Sequence, residues 1–227
     1  MCGICGFCRL DGGFDKESRK WKRCLEEMNR SQKRRGPDDE GIWLGEHCGL
    51  GHVRLSIIDP VTGHQPMTRT QAGRTCTLVL NGEIYNMVSL RKELENEGAV
   101  FQTASDTEIV LNGYMLHGIS YLEKLNGIFS MALWDSACDT LYLIRDRLGI
   151  KPLFYTRQGE TLIFASELKG LLAYPGVEAV LDREGLCEIF ALGPAKSYGK
   201  GVLKGMYEVL PGHYLALSRQ GTRDVCY

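Results

Sequence analysis

Cys2, Cys5 and Cys8 open the chain in two overlapping CxxC spacings, a pattern that metal and redox sites use. A bacterial-type iron–sulfur run would continue with a fourth Cys at position 12 and then Pro, where Gly12 and Gly13 stand. The apolar run 4–10 predicts a strand, so Cys5 faces away from Cys2 and Cys8, and those two lie about 20 Å apart. Three sulfurs in that arrangement cannot meet on one ion. The five histidines, at 47, 52, 64, 117 and 213, form no HxH or HExxH pair, and no metal site is expected. Cys5 and Cys8 read as core residues.

Cys2 differs because only Met1 precedes it. Removal of that Met would leave a free α-amine on the residue that also holds a thiol. An α-amine with a pKa of about 7.7–8.0 can act as a general base near neutrality. A thiol with a pKa of about 8.5 needs little activation to become a nucleophile. Nucleophile and base on one residue would require no His or Asp elsewhere. Position alone favours a chance Cys beside the initiator, so the reading depends on the rest of the chain.

The elements that must position these residues follow from pattern. The chain has 227 residues, a formal charge of -1, 44% hydrophobic and 24% charged side chains, the balance of a globular protein with a sizeable core. That charge gives no electrostatic footprint for nucleic acid, and no apolar run approaches the roughly 18–20 residues of a membrane span. Nine scattered cysteines and no signal-peptide pattern read as reduced thiols in a cytoplasmic protein. Strands are expected over 4–10, 49–58, 76–80, 127–134, 140–145, 161–165, 206–210 and 214–217. Helices are expected around Trp21, Leu25 and Met28 after Asp15 as N-cap, and around Leu90 and Leu94. Ser105 with Glu108 reads as a capping box, and Ser166 and Asp182 as further N-caps. The residues 31–40 read as a loop, and Asn81-Gly82 as a tight turn. Connections too short for repeated parallel crossovers favour an α+β fold with antiparallel sheets covered by helices.

Eight segments, in order, change the odds on Cys2: MCGICGF, RRGPDDEG (34–41), RLSIID (54–59), NGEIYN (81–86), SDTE (105–108), RDRLGIKPLFY (145–155), ASELKGLL (165–172) and LPGHYL (210–215). Together they resemble the glutaminase domain of glutamine-hydrolysing asparagine synthetases, a class II, N-terminal-nucleophile (Ntn) glutamine amidotransferase. The resemblance implies one domain over residues 2–227, a four-layer αββα sandwich. It implies that Cys2 attacks the side-chain amide of L-glutamine to give a γ-glutamyl thioester. Asn81 and Gly82 would hold the developing oxyanion through a side-chain NH₂ and a backbone N–H. Arg54 would bind the substrate α-carboxylate, Glu83 and Asp106 the α-ammonium, and the backbone of Leu55, Ser56, Ile57 and Ile58 would line the site. Asp106 also suits the first turn of a helix by charge alone. Asp38-Asp39 is expected to shape its loop, and the glycines of SYGKGVLKG match no phosphate-loop spacing. Arg34 stands where such proteins often have His.

The resemblance further implies a C-terminal synthetase domain as partner, in cis, holding an SGGxDS-type ATP loop that these 227 residues lack. No cofactor is expected in this half, and Mg-ATP would serve the synthetase domain only, so this stretch is not expected to make asparagine by itself. A homodimer stays open, and neither nucleic acid nor a membrane is an expected partner. Two alternatives remain: another ammonia acceptor, or a glutamine-binding domain without catalysis should Met1 be retained.

Overall fold

The run GICGFC forms β1 (Gly3–Cys8), a strand buried along its whole length because it is covered on both faces. The computed structural model of the chain describes residues 1–56, 59, 61–193 and 197–227. The strands are β1, β2 (Asp39–Leu44), β3 (Cys48–Arg54), β4 (Met67–Gln71), β5 (Arg74–Ile84), β6 (Gly127–Asp135), β7 (Thr140–Arg145), β8 (Phe154–Gln158), β9 (Thr161–Ala165), β10 (Met206–Glu208), β11 (His213–Ser218) and β12 (Gly221–Cys226). They build two antiparallel six-stranded sheets, ordered β10-β8-β9-β1-β3-β2 and β12-β11-β7-β6-β5-β4. The helices are α1 (Ser18–Ser31), α2 (Met87–Asn96), α3 (Asp106–His117), α4 (Leu168–Leu172) and α5 (Arg183–Leu192).

Alternation along the strands creates three apolar layers. Ile4 and Cys8 of β1 meet Leu50, Val79, Trp134 and Phe164 between the sheets. Cys5 and Phe7 point the other way, onto Trp21 and Leu25 of α1 and Leu171 of α4. Leu78 and Leu80 of β5 pack outward against Leu94 of α2 and Tyr114 of α3. Helix, sheet, sheet, helix is the four-layer αββα sandwich. The opposed directions of Cys5 and Cys8 follow the expected alternation, and Cys5 donates to Asn29 Oδ1 at 3.2 Å. Burial pushes the Cys5 thiol well up, so it is an inert core group.

Several local expectations change. β3 ends at Arg54, short of 58. The N-cap of α1 is Glu17, preceded by a 3₁₀ turn from Asp15 to Glu17, so Asp15 does not cap it. Ser166 caps no helix: its hydroxyl accepts the Ile4 N–H at 3.0 Å, tying β1 to the end of β9, and α4 starts after Glu167. Asp182 caps α5 through Gly185 N–H at 2.9 Å. Asn81 and Gly82 lie inside β5, paired with Ser130 and Phe129, and form no turn.

The Ser105 cap of α3 forms, its hydroxyl accepting Glu108 N–H at 3.3 Å. Glu108 reaches past Ser105 and accepts from Gln102 N at 2.8 Å and Thr103 N at 2.6 Å, and it pairs with Arg69. Its side chain is 0% exposed, so Glu108→Ala should cost about 3–5 kcal/mol by stranding these backbone donors and removing the buried partner of Arg69. A thermal melt should show Tm lowered by roughly 10 °C.

Candidate active site

Side-chain parity brings the chemical residues to one end of the space between the sheets. Even-numbered side chains of β1 and β3 and odd-numbered ones of β5 face that space, as Ile4, Leu50 and Val79 do. Gly3 pairs with Val53, so one further step of the antiparallel register sets Cys2 opposite Arg54. Asn81 and Glu83 arrive from β5 with the inward parity. These four side chains, with Leu55, Gly82 and Asp106, line a cavity of ≈ 180 Å³.

The Cys2 thiol is held by the backbone of Leu55. Leu55 N–H donates to Sγ at 3.4 Å, and Sγ donates to the Leu55 carbonyl at 3.6 Å. Arg35 grips the other side of the residue, donating from Nε to the Cys2 carbonyl at 2.7 Å while its guanidinium pairs with Glu167 at 3.2 Å. Cys2 thus has a fixed backbone and a thiol open to the cavity.

A backbone donor stands opposite because β5 outlasts its neighbour. β4 pairs with β5 only as far as Met67 opposite Leu78, so beyond that point the edge of β5 is free of a strand. Side chains take over its N–H groups: Leu80 N–H donates to Gln65 Oε1 at 2.6 Å, and Ile84 N–H to Asp106 Oδ2 at 3.2 Å. Alternation puts the Gly82 N–H on the same edge, between those two. The residue must be glycine, since its φ is 155° and a Cβ would sit 2.1 Å from the Ile128 carbonyl oxygen. Beside it, Asn81 is fully buried; its Nδ2 donates to Ser130 Oγ at 3.3 Å, and its Oδ1 has no partner among the described residues.

Arg54 is 5% exposed, and its guanidinium donates to the Asp59 carbonyl at 2.5 Å. Gly63 makes room for it, because a Cβ there would lie 2.5 Å from Arg54 Nη2. Asp106 occupies the first turn of α3, where burial raises its carboxyl above the ordinary range; the Ile84 N–H opposes this and the Glu83 charge adds to it. His52 stands nearby, its Nε2 3.2 Å from the Leu80 carbonyl, and burial lowers its pKa to about 4, so it is neutral at pH 7. No histidine lines the cavity among the described residues.

Of the residues expected from sequence, Ser56 does not line the cavity; its N–H is held by Asp38 at 2.8 Å. Ile57 and Ile58 lie outside the described residues. Asp38 thereby shapes its loop, as expected. Among the described residues no group of three or more His, Cys, Asp or Glu side chains could hold a metal ion, and no helix is long and apolar enough to cross a membrane. Four residues were missed by the sequence reading. Gln65 bridges the free β5 edge to Thr107 at 3.0 Å, Arg35 fixes Cys2, Gly63 seats Arg54, and Lys151 lines the cavity. Arg35 and Lys151 sit within the quoted segments RRGPDDEG and RDRLGIKPLFY, which were the available signal.

A four-layer sandwich with Cys2 seated at the end of a central strand, open to the inter-sheet cavity, defines an N-terminal-nucleophile type of amidotransferase fold. The glutamine phosphoribosylpyrophosphate amidotransferase of B. subtilis has the same fold, with a TM-score of 0.69 at 20% identity over 99% of this chain and 49% of that one. The chain belongs to the glutamine amidotransferase domain family, which matches residues 1–227. Asparagine synthetase [glutamine-hydrolyzing] 3 of Bacillus subtilis (strain 168) is 43% identical over 221 residues, 97% of this chain and 35% of that protein. Asparagine synthetase [glutamine-hydrolyzing] 2 of the same organism is 36% identical over 222 residues, 96% and 29% respectively. The chain therefore spans only 35% and 29% of the lengths of these curated relatives, corresponding to a glutamine-handling domain within them.

Proposed function

We propose that the chain is the glutaminase half of an asparagine-forming enzyme, converting L-glutamine and water to L-glutamate and ammonia. The observation that supports this most directly is the meeting of Cys2, Asn81, Gly82 and Arg54 around one cavity. Removal of Met1 frees the α-amine of Cys2, which takes the thiol proton through a water molecule. The S–C bond forms at the γ-carbonyl carbon as the π pair moves to oxygen. That oxyanion is met by the Gly82 N–H and by Asn81 Nδ2. The two ends of a carboxamide are nearly isosteric, so with Asn81 turned over, Oδ1 accepts the Ser130 hydroxyl and Nδ2 faces the substrate. Collapse breaks the C–N bond, the leaving nitrogen takes a proton from the α-ammonium, and ammonia departs. Water then adds to the thioester, the C–S bond breaks, the sulfur regains its proton on Cys2, and glutamate departs.

Arg54 binds the α-carboxylate with two parallel N–H groups, and Glu83 and Asp106 receive the α-ammonium. The bound ammonium offsets the burial that raises the Asp106 carboxyl. Leu55 contributes through its backbone, beside the thiol. No metal or organic cofactor enters this half. Ammonia passes to a synthetase domain in cis, where Mg-ATP activates aspartate, and the whole enzyme works in the cytoplasm. The test is glutamate release from L-glutamine, comparing protein whose Met1 removal is verified by intact mass with protein that retains it. Trimmed protein should turn over and untrimmed protein should not; verified trimmed protein without turnover would overturn the reading.

A further inference from the structure

The six residues from Asp146 to Lys151 form a loop held with unusual completeness. Arg145 donates to the carbonyls of Gly149 at 2.7 Å, Lys151 at 3.0 Å and Val209 at 2.7 Å, and pairs with Glu208 at 3.1 Å. Asp146 Oδ1 accepts the N–H groups of Leu148 at 3.0 Å and Ile150 at 3.1 Å. Two carbon side chains are turned outward, Leu148 being 77% and Ile150 53% exposed. Lys151 turns inward: it is 8% exposed and lines the cavity that holds Cys2.

Its position along the cavity follows from one carboxylate oxygen. Asp146 Oδ2 accepts Lys151 N–H at 3.1 Å and Phe129 N–H at 3.2 Å. Phe129 is the register partner of Gly82 on the neighbouring strand. Lys151 is therefore anchored at the Gly82 end of the cavity. Its ammonium has no hydrogen-bond or ion-pair partner among the described residues, although the carboxylates of Glu83 and Asp106 line the same space. A cation at the cavity wall with no partner in the ground state gains one when negative charge develops beside it.

We propose that Lys151 is a catalytic residue of the glutaminase reaction, its ammonium facing the γ-carbonyl oxygen and gaining its partner as that oxygen becomes negative. The inference rests on the glutaminase reading above. Such a group acts on the transition state more than on bound glutamine, so its removal lowers kcat and leaves KM nearly unchanged.

The experiment uses the trimmed chain as wild type, Lys151→Met and Lys151→Arg, with circular dichroism to verify folding. Lys151→Met should lose roughly 10–100-fold in kcat with KM within about threefold, and Lys151→Arg should recover most of the loss. The thiol adds to the aldehyde carbon of open-chain L-glutamate γ-semialdehyde to give a tetrahedral hemithioacetal, and this compound should bind Lys151→Met at least about tenfold more weakly than wild type under the same ring–chain equilibrium. Unchanged kcat in folded Lys151→Met, or a loss confined to KM, overturns the role of Lys151 and leaves the glutaminase reading standing. Should Lys151→Met fail to fold, Lys151→Gln, which keeps most of the length and removes the charge, takes its place: loss of kcat and of aldehyde affinity in the folded protein supports the role, and unchanged values overturn it. A trimmed wild type that releases no glutamate overturns the glutaminase reading, and this inference with it.

Discussion

Cys2→Ala should lose at least about 10³-fold in glutamate release from L-glutamine while melting within about 2 °C of the wild type. Activity falls because no second thiol lines the cavity among the described residues. Without sulfur the carbonyl can be attacked only by water, and a polarised carbonyl does little without an attacking group. Stability holds because the thiol's polar contacts are two long ones to Leu55, at 3.4 and 3.6 Å. The Arg35 bond to the Cys2 carbonyl, at 2.7 Å, survives the substitution. The measurement is glutamate release set beside calorimetric binding of L-glutamine to Cys2→Ala, which should stay within about threefold of the wild-type KM. Glutamate release at the wild-type rate would remove Cys2 as nucleophile; lost binding would mean that the thiol shapes the pocket.

Gly82→Ala should damage both fold and chemistry. The added carbon would lie 2.1 Å from the Ile128 carbonyl oxygen and 2.6 Å from Phe129 Cα, both backbone atoms in the adjacent strand. The φ of 155° adds strain for any residue with a Cβ. Together these amount to about 3–5 kcal/mol. Relief requires β5 to move away from β6, which turns the Gly82 N–H from its aim into the cavity. Folded variant should then turn over roughly 10²–10³-fold more slowly, the loss expected when one oxyanion donor is misplaced. Gly98→Ala is the control: its φ is 93°, but nothing lies within 4 Å of the added carbon. Thermal melts should show Gly98→Ala lowered by a few degrees and Gly82→Ala by roughly 10 °C. Equal shifts would mean that backbone angle alone, and not contact with β6, constrains Gly82.

The layered fold was legible where both faces of a strand are buried. Thr140–Arg145 and Thr161–Ala165 were expected to within the residue, because continuous apolar runs end in charge or turn. β2, β4, β8 and β12 escaped for the opposite reason. Three of them, β2, β4 and β12, are edge strands, β8 lies one place in from the edge, and sequences such as MTRTQ, FYTRQ and GTRDVC are partly solvated and read as loop. Asn81-Gly82 reads as a hairpin by local preference. Only the early end of β4, with Gln65 and Asp106 replacing it as acceptors, explains why that pair continues a strand. Cys2, Asn81 and Arg54 were legible through ordered motifs. Lys151 and Gln65 were not, since their meaning depends on neighbours that only the tertiary fold supplies.

The bond from Ile4 N–H to Ser166 Oγ joins residues 162 positions apart, and β1 lies between β3 and β9. A ribosome adding about 5–20 residues per second needs roughly 10–30 seconds to travel that far. For that interval the strand behind the thiol has one flank without a partner. The Met1 removal proposed above would take place on a loose end during this time. Cys2 is thus made early and seated late, and the cavity acquires its sulfur only after the segment carrying Ser166 has been synthesised.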